Sequence, residues 1–359
     1  MAAYTAIDDP SAYFKVQLYT GNGGTQSITF NDTDTTMQPD ITWIKCRTGA
    51  EDHALADSVR GDSGAASGYY TLQTNDNNAQ SSGSWNTLVD AITSDGFNLG
   101  NNDQVNSSSQ PFVSWSWKAG TTTGITTNGS TTITPTAYSF NATSKCSILK
   151  YSGNGVAGAK VAHGLGVTPT CMIIKRMDAT AHWTVYHQSL GNEYKLYLNN
   201  DYAKTDDAAA WNDTSPDTVN FTLGTENAVN NSGGTYVAYC FADRQGYFKT
   251  GDYVGNGNVN GYFAYCGFKP SLVIIKMATD AGYSWTMRGN KMNPYNVAEN
   301  NFACDTNAAM AASKDIDLVS NGWKGRTTDG GIMGDTKTFV WVAWGQSIVG
   351  DNGVTGTAY

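Results

Sequence analysis

Apolar and polar residues alternate with a period of two along much of the chain. Phe14-Lys-Val-Gln-Leu-Tyr19, Gln26-Ser-Ile-Thr-Phe30 and Ile41-Thr-Trp-Ile-Lys45 all lean to this alternation, which sends side chains to opposite faces of an extended strand. Further strands are predicted at 53–60, 69–74, 96–100 and 111–118. The Gly-Asn-Gly between the first two segments predicts a tight hairpin turn, because Gly and Asn tolerate positive φ. Helical candidates are few: Trp85 to Ile92, and Asp305 to Lys314. Short strands separated by Gly and Asn turns predict an all-β fold of antiparallel β-sandwich units, jelly-roll or lectin-like, with few short helices.

The pattern is written three times. Tyr19-Thr-Gly-Asn-Gly23, Tyr151-Ser-Gly-Asn-Gly155 and Tyr253-Val-Gly-Asn-Gly257 each precede a proline-led apolar run ending in Ile-Lys: Pro39 to Lys45, Pro169 to Lys175 and Pro270 to Lys276. Each unit ends on an aromatic strand, Phe112-Val-Ser-Trp-Ser-Trp117, Tyr236-Val-Ala-Tyr-Cys-Phe241 or Phe339-Val-Trp-Val-Ala-Trp344. Before these strands stand Ser94-Asp-Gly-Phe-Asn-Leu-Gly100, Val219-Asn-Phe-Thr-Leu-Gly224 and Ser320-Asn-Gly-Trp-Lys-Gly325. Four landmarks in one order define repeats at 1–120, 145–245 and 246–359, the last with a short C-terminal tail. A Thr/Gly-rich connector, 121–144, joins the first two and reads as a linker or an extended strand.

Composition narrows the classes. Charged residues make up 15% of the 359 and the net charge is −9, with no basic tract, which argues against a nucleic-acid partner. No apolar run is long enough to cross a membrane as a helix, and the N-terminus lacks a signal-peptide pattern. The six cysteines are far apart with no C-x-x-C pair, so they read as buried reduced thiols, disulfides remaining open in an oxidising setting.

Chemical motifs are sparse. Gly153-Asn-Gly-Val-Ala-Gly158 fits G-x-G-x-x-G, but the other two copies lose the third glycine, so a shared turn explains it better than a dinucleotide site. Gly61-Asp-Ser-Gly64 is like a serine-nucleophile loop, yet His53 is too close in sequence to serve as its base, and a turn is the simpler reading. His182 and His187 would lie on opposite faces of a strand and share no metal. Asn31-Asp-Thr-Asp34 and Asn75-Asp-Asn-Asn78 are oxygen-rich but lack the calcium-loop arrangement. No matched carboxylate pair recurs, and no enzyme, metal or cofactor is expected. What remains is aromatic residues beside small polar ones: Trp85 with Asn86, Trp211 with Asn212 and Asp213, Tyr295, and Trp323. An exposed ring offers a flat apolar face to a sugar while Asn or Asp bonds its hydroxyls; the alternative is that these rings pack the interior.

These landmarks, together with His163-Gly-Leu-Gly-Val-Thr-Pro169, Asp57-Ser-Val-Arg-Gly61, Tyr236 to Ala242 and Asn293-Pro-Tyr-Asn-Val297, resemble an uncharacterised tandem-repeat family of virion proteins in tailed bacteriophages, particularly marine and cyanobacterial phages. The resemblance runs from Phe14 to about Val349; units one and three carry Phe30 and Tyr265 near the position of His163. It implies a non-enzymatic virion component of the tail fibre or appendage type. The expected partners are other virion proteins, further copies of the chain (a trimer favoured) and host surface polysaccharide. A capsid decoration protein or tail adaptor is the alternative.

Overall fold

The computed structural model describes residues 6–7, 9–31, 35–61, 68–80 and 88–345. The first unit contains β1 (Phe14–Thr20), β2 (Gln26–Thr29), β3 (Ile41–Cys46), β4 (Ala54–Asp57), β5 (Thr71–Leu72), β6 (Val89–Thr93), β7 (Gly96–Leu99), α1 (Asp103–Asn106) and β8 (Pro111–Trp117). They form a main sheet, β1-β8-β3-β4-β5, and a small sheet, β2-β7-β6. The second unit contains β9 (Ala137–Asn141), β10 (Cys146–Ser152), β11 (Ala159–Ala162), β12 (Cys171–Arg176), β13 (Thr184–His187), β14 (Tyr194–Tyr197), β15 (Thr205–Asp206), α2 (Ala208–Trp211), β16 (Asn220–Leu223), α3 (Asn227–Asn230) and β17 (Thr235–Phe241). Its main sheet runs β15-β14-β13-β12-β17-β10-β9 and its small sheet pairs β11 with β16. The third unit contains β18 (Phe248–Val254), β19 (Phe263–Tyr265), β20 (Pro270–Met277), β21 (Thr286–Gly289), β22 (Ala298–Ala303), β23 (Ala311–Val319), β24 (Gly322–Gly325), α4 (Gly330–Met333) and β25 (Thr338–Gly345). Here main and small sheets run together as β18-β25-β20-β21-β22-β23-β24-β19.

The fold is all-β and antiparallel with few short helices, as the alternation predicts. Both longer helix candidates are corrected. Val89–Thr93 is strand β6, while 85–87 lie outside the described residues. Asp305 to Met310 is a turn and loop and Ala311 to Lys314 is already the start of β23, where Ile316 and Leu318 alternate into the interior. β-branched Val89, Ile92 and Thr93 favour a pleated surface in the first segment, whereas in the Ala-rich second segment pairing of β23 with β22 and β24 overrides helix propensity.

The predicted hairpin is also corrected. β1 pairs with β8 and β2 with β7, so Gly-Asn-Gly turns a corner between sheets. The first glycine of each copy lies against the residue that follows a short helix. A Cβ at Gly21, Gly153 or Gly255 would stand 2.2, 2.4 or 2.2 Å from the carbonyl oxygen of Ser107, Asn231 or Gly334. The preceding tyrosines anchor the same contact: Tyr19, Tyr151 and Tyr253 donate to the carbonyls of Val105, Val229 and Ile332 at 2.7, 2.7 and 2.5 Å. Buried Asn106 and Asn230 accept from the backbone of Asn22 and Asn154, both at 2.9 Å.

The closing strands show how the units combine. On β8, β17 and β25 one set of alternate residues (Phe112; Tyr236, Ala238, Cys240; Phe339, Trp341, Ala343) packs inside its own unit. The other set (Val113, Trp115, Trp117; Val237, Tyr239, Phe241; Val340, Val342, Trp344) enters one core common to all three. There the last aromatics of the three strands meet, with ring centroids 5.3 Å apart for Trp117–Trp344 and Phe241–Trp344 and 6.4 Å for Trp117–Phe241. Residues of all three units also line an apolar cavity of about 50 Å³ in this core.

The rim of that core closes in a cycle. The Ile-Lys lysines are fully buried, and each donates to a backbone carbonyl of a neighbouring unit: Lys45 to Asn307, Lys175 to Asn77 and Lys276 to Asp201, at 3.2, 3.2 and 3.3 Å. Two residues further on, the carbonyls of Arg47, Met177 and Ala278 accept from Met310, Gln80 and Lys204. Unit one thus holds unit three, unit two holds unit one, and unit three holds unit two. The repeats form a closed pseudo-threefold ring.

Candidate functional site

The histidines are spent on structure. His53, His163 and His187 each accept at Nδ1, from Trp43 Nε1, Leu165 N and Ser189 N. Each lies 3.1 Å through Nε2 from a carbonyl oxygen, that of Ala303, Asp217 or Trp341, which makes Nε2 the protonated nitrogen. Burial pushes their pKa values down, to about 3 for His53, where Lys45 adds to the effect, and to about 4 for the other two. Neutral rings with both nitrogens engaged have nothing left with which to ligate or to move a proton. His182 precedes β13, stacks on Tyr197 and bonds Asn199, so it does not share a strand with His187.

The other motifs resolve in the same way. All six cysteines are free and buried, and burial pushes the Cys171 thiol up to about 12. Asn75 bonds the His53 backbone and Asp52, while the Asp76 carboxylate caps its own turn at Asn77 and Asn78. Residues 62–64 of the Gly61–Gly64 motif and 32–34 of the Asn31–Asp34 loop lie outside the described residues. Among the described residues no three His, Cys, Asp or Glu side chains gather at metal-binding distance.

Of the aromatic candidates, Trp85 and Asn86 lie outside the described residues. Trp211 and Trp323 are corrected. Trp211 ends α2 inside the second unit's core and donates to the Tyr194 carbonyl at 3.2 Å, and Trp323 is fully buried in the third. Each is the large inward residue its unit needs, so neither ring meets a ligand. Asn212 and Asp213 follow Trp211 in left-handed turn conformations, with φ of 52° and 44°. Tyr295 is 75% exposed.

Tyr295 has company that the sequence reading missed. On β19, Phe263 and Tyr265 point outward on either side of buried Ala264, with exposures of 41% and 64%. Their cross-strand partners are Lys324 and Gly322 on β24, which in turn oppose Asp317 and Val319 on β23. Asp317 pairs with Arg326 at 2.6 Å. At the β23 side, the Asn296 side chain donates to the Leu318 carbonyl at 3.1 Å and accepts from its N–H at 2.9 Å. That clasp holds exposed Tyr295 and Val297 beside the sheet. Exposed rings thus stand on β19 and beside β23, with Lys324 and the Asp317–Arg326 pair on the strands between. The equivalent positions are exposed Ser27 and Thr29 on β2 and half-buried Lys160 and buried Ala162 on β11, so only the third copy is aromatic there. Strand pairing, which sets the three copies in register, is what finds these rings.

A polar groove of about 670 Å³ lies between units one and two, lined by Gln38, Asp40, Ser58, Lys118, Thr136 and Tyr138 among others. Its carboxylate is occupied: Asp40 accepts from Ser58 Oγ, Ser139 Oγ and the Ala119 N–H at 2.7, 3.0 and 2.8 Å. Asp40 ties unit one to β9.

These observations define an all-β protein in which three sheets close around one core and one unit presents an aromatic face. No helix among the described residues is long and apolar enough to cross a membrane. The chain belongs to the family described as a domain of unknown function, DUF7483, which matches residues 9–347. No curated protein matches the chain.

Proposed function

We propose that the protein is a non-enzymatic structural component of a bacteriophage virion, of the tail fibre or appendage type, that contacts host surface glycan. The observation that carries the binding part is the face formed by Phe263, Tyr265 and Tyr295 around Lys324 and the Asp317–Arg326 pair. Aromatic rings stack on the apolar faces of sugars, and flanking charged groups bond their hydroxyls. The engagement of His53, His163 and His187 in backbone hydrogen bonds supports binding over catalysis.

Glycan arrays and adsorption to host cells test this. Tyr295→Ala and Tyr265→Ala are expected to weaken glycan binding about 5- to 13-fold each, at about 1–1.5 kcal/mol per lost stacking ring. Tm should stay unchanged, because both side chains are exposed. Absence of glycan binding by every oligomeric form overturns the receptor part. A label placed on this protein that decorates the phage head instead supports the second reading, a capsid decoration protein or tail adaptor, which the position of β19 as last strand of its sheet among the described residues favours.

A further inference from the structure

The small sheets of units two and three end on equivalent strands that are finished differently. On β11, Val161 pairs with Phe221, and on β19, Ala264 pairs with Trp323, which sets Lys160 equivalent to Phe263. Val161 and Ala264 fall in the hydrogen-bonded register, shared with His163, which donates to Val219, and with Tyr262, which accepts from Gly325. Antiparallel pairing alternates, so the peptide groups of Lys160 and of Phe263 turn away from their partner strands.

In unit two that outward edge is filled. Thr132 and Ile133 of the connector both donate to the Lys160 carbonyl, at 3.0 and 2.9 Å, and Lys160 N–H donates to Thr132 Oγ1 at 2.7 Å. Ile133 bridges Val161 in parallel and is buried in the unit's core. Units two and three have no such connector, since β17 ends at Phe241 and β18 begins at Phe248. Among the described residues β19 is the last strand of its sheet, and its outward side chains are aromatic where β11 has Lys160 and Ala162.

We infer that β19 is a strand-addition site: it receives an extended, Thr- and Ile-bearing peptide segment from another protein, parallel to β19 and bonded to the peptide groups of Phe263, as Thr132–Ile133 is bonded to Lys160. An unpaired edge is a ready template for such a strand, with main-chain bonds supplying affinity and alternate side chains supplying selectivity. The inference does not rest on the glycan reading, because it uses the edge of the sheet rather than its face.

The test uses the full chain and a synthetic peptide with the sequence of residues 128–136, Asn-Gly-Ser-Thr-Thr-Ile-Thr-Pro-Thr. Saturating peptide is expected to slow amide exchange at Phe263 and Tyr265 at least about tenfold, leaving other edges unchanged. Phe263→Pro removes an outward N–H that β24 does not use, a substitution edge strands tolerate, and should abolish the effect. Phe263→Thr keeps that N–H and should retain protection, which guards against a misfolded proline variant. Lack of protection at these amides, or protection surviving in a folded Phe263→Pro variant, overturns the inference. So does slow exchange there in the free chain, or protection that rises with protein concentration alone, since either shows the edge already covered by this chain or a second copy.

Discussion

At the residue scale, three histidines make a testable link between burial and pH. Folding holds His53, His163 and His187 neutral, with pKa values of about 3 to 4, whereas the unfolded chain takes up their protons as pH falls through about 6.5. The unfolded state then binds more protons, so stability is full above pH 6.5 and declines between there and about pH 4. Near pH 5 the slope should reach about 4 kcal/mol per pH unit, at about 1.4 for each ring. Urea unfolding at pH 5 and 6 measures it. His163→Gln should remove about a third of the slope, and a flat profile would refute the assignment.

At the scale of elements, the Tyr-x-Gly-Asn-Gly corner governs how each strand leaves the main sheet. Gly21→Ala places a Cβ 2.2 Å from the Ser107 carbonyl oxygen, and neither backbone can yield easily. The expected loss is about 2–4 kcal/mol, seen as a lower urea midpoint. Gly129→Ala is the control: nothing stands within 4 Å of its Cβ, and the change should stay within about 0.5 kcal/mol. The repeat was legible as three copies, but its glycines read as hairpin glycines. Only the pairing of β1 with β8 and of β2 with β7 shows that they are close-approach glycines.

At the scale of the whole molecule, the units share a core and should unfold together. Trp344 touches Phe14, Trp117, Phe241 and Phe248, rings from all three repeats. Trp344→Ala is expected to cost about 3–5 kcal/mol. Calorimetry should show one transition, displaced to lower temperature, in both the native chain and the variant. Three separable transitions would show independent domains. The ring also supplies within one chain the threefold arrangement that a trimer of single units would otherwise build.

Alternation, turn residues and repetition carried the all-β antiparallel class and the threefold recurrence of the landmarks, because these depend on neighbours in sequence. Tertiary structure alone decided what each landmark is for. The buried lysines bond carbonyls of other units, so the meaning of Ile-Lys lies more than 70 residues away. Trp211 and Trp323 look like Tyr295 when written in a line; burial separates them, and burial is set by which sheet face closes over the side chain. Phe263 and Tyr265 became candidates only when pairing showed an outward face on a sheet edge with no further strand among the described residues.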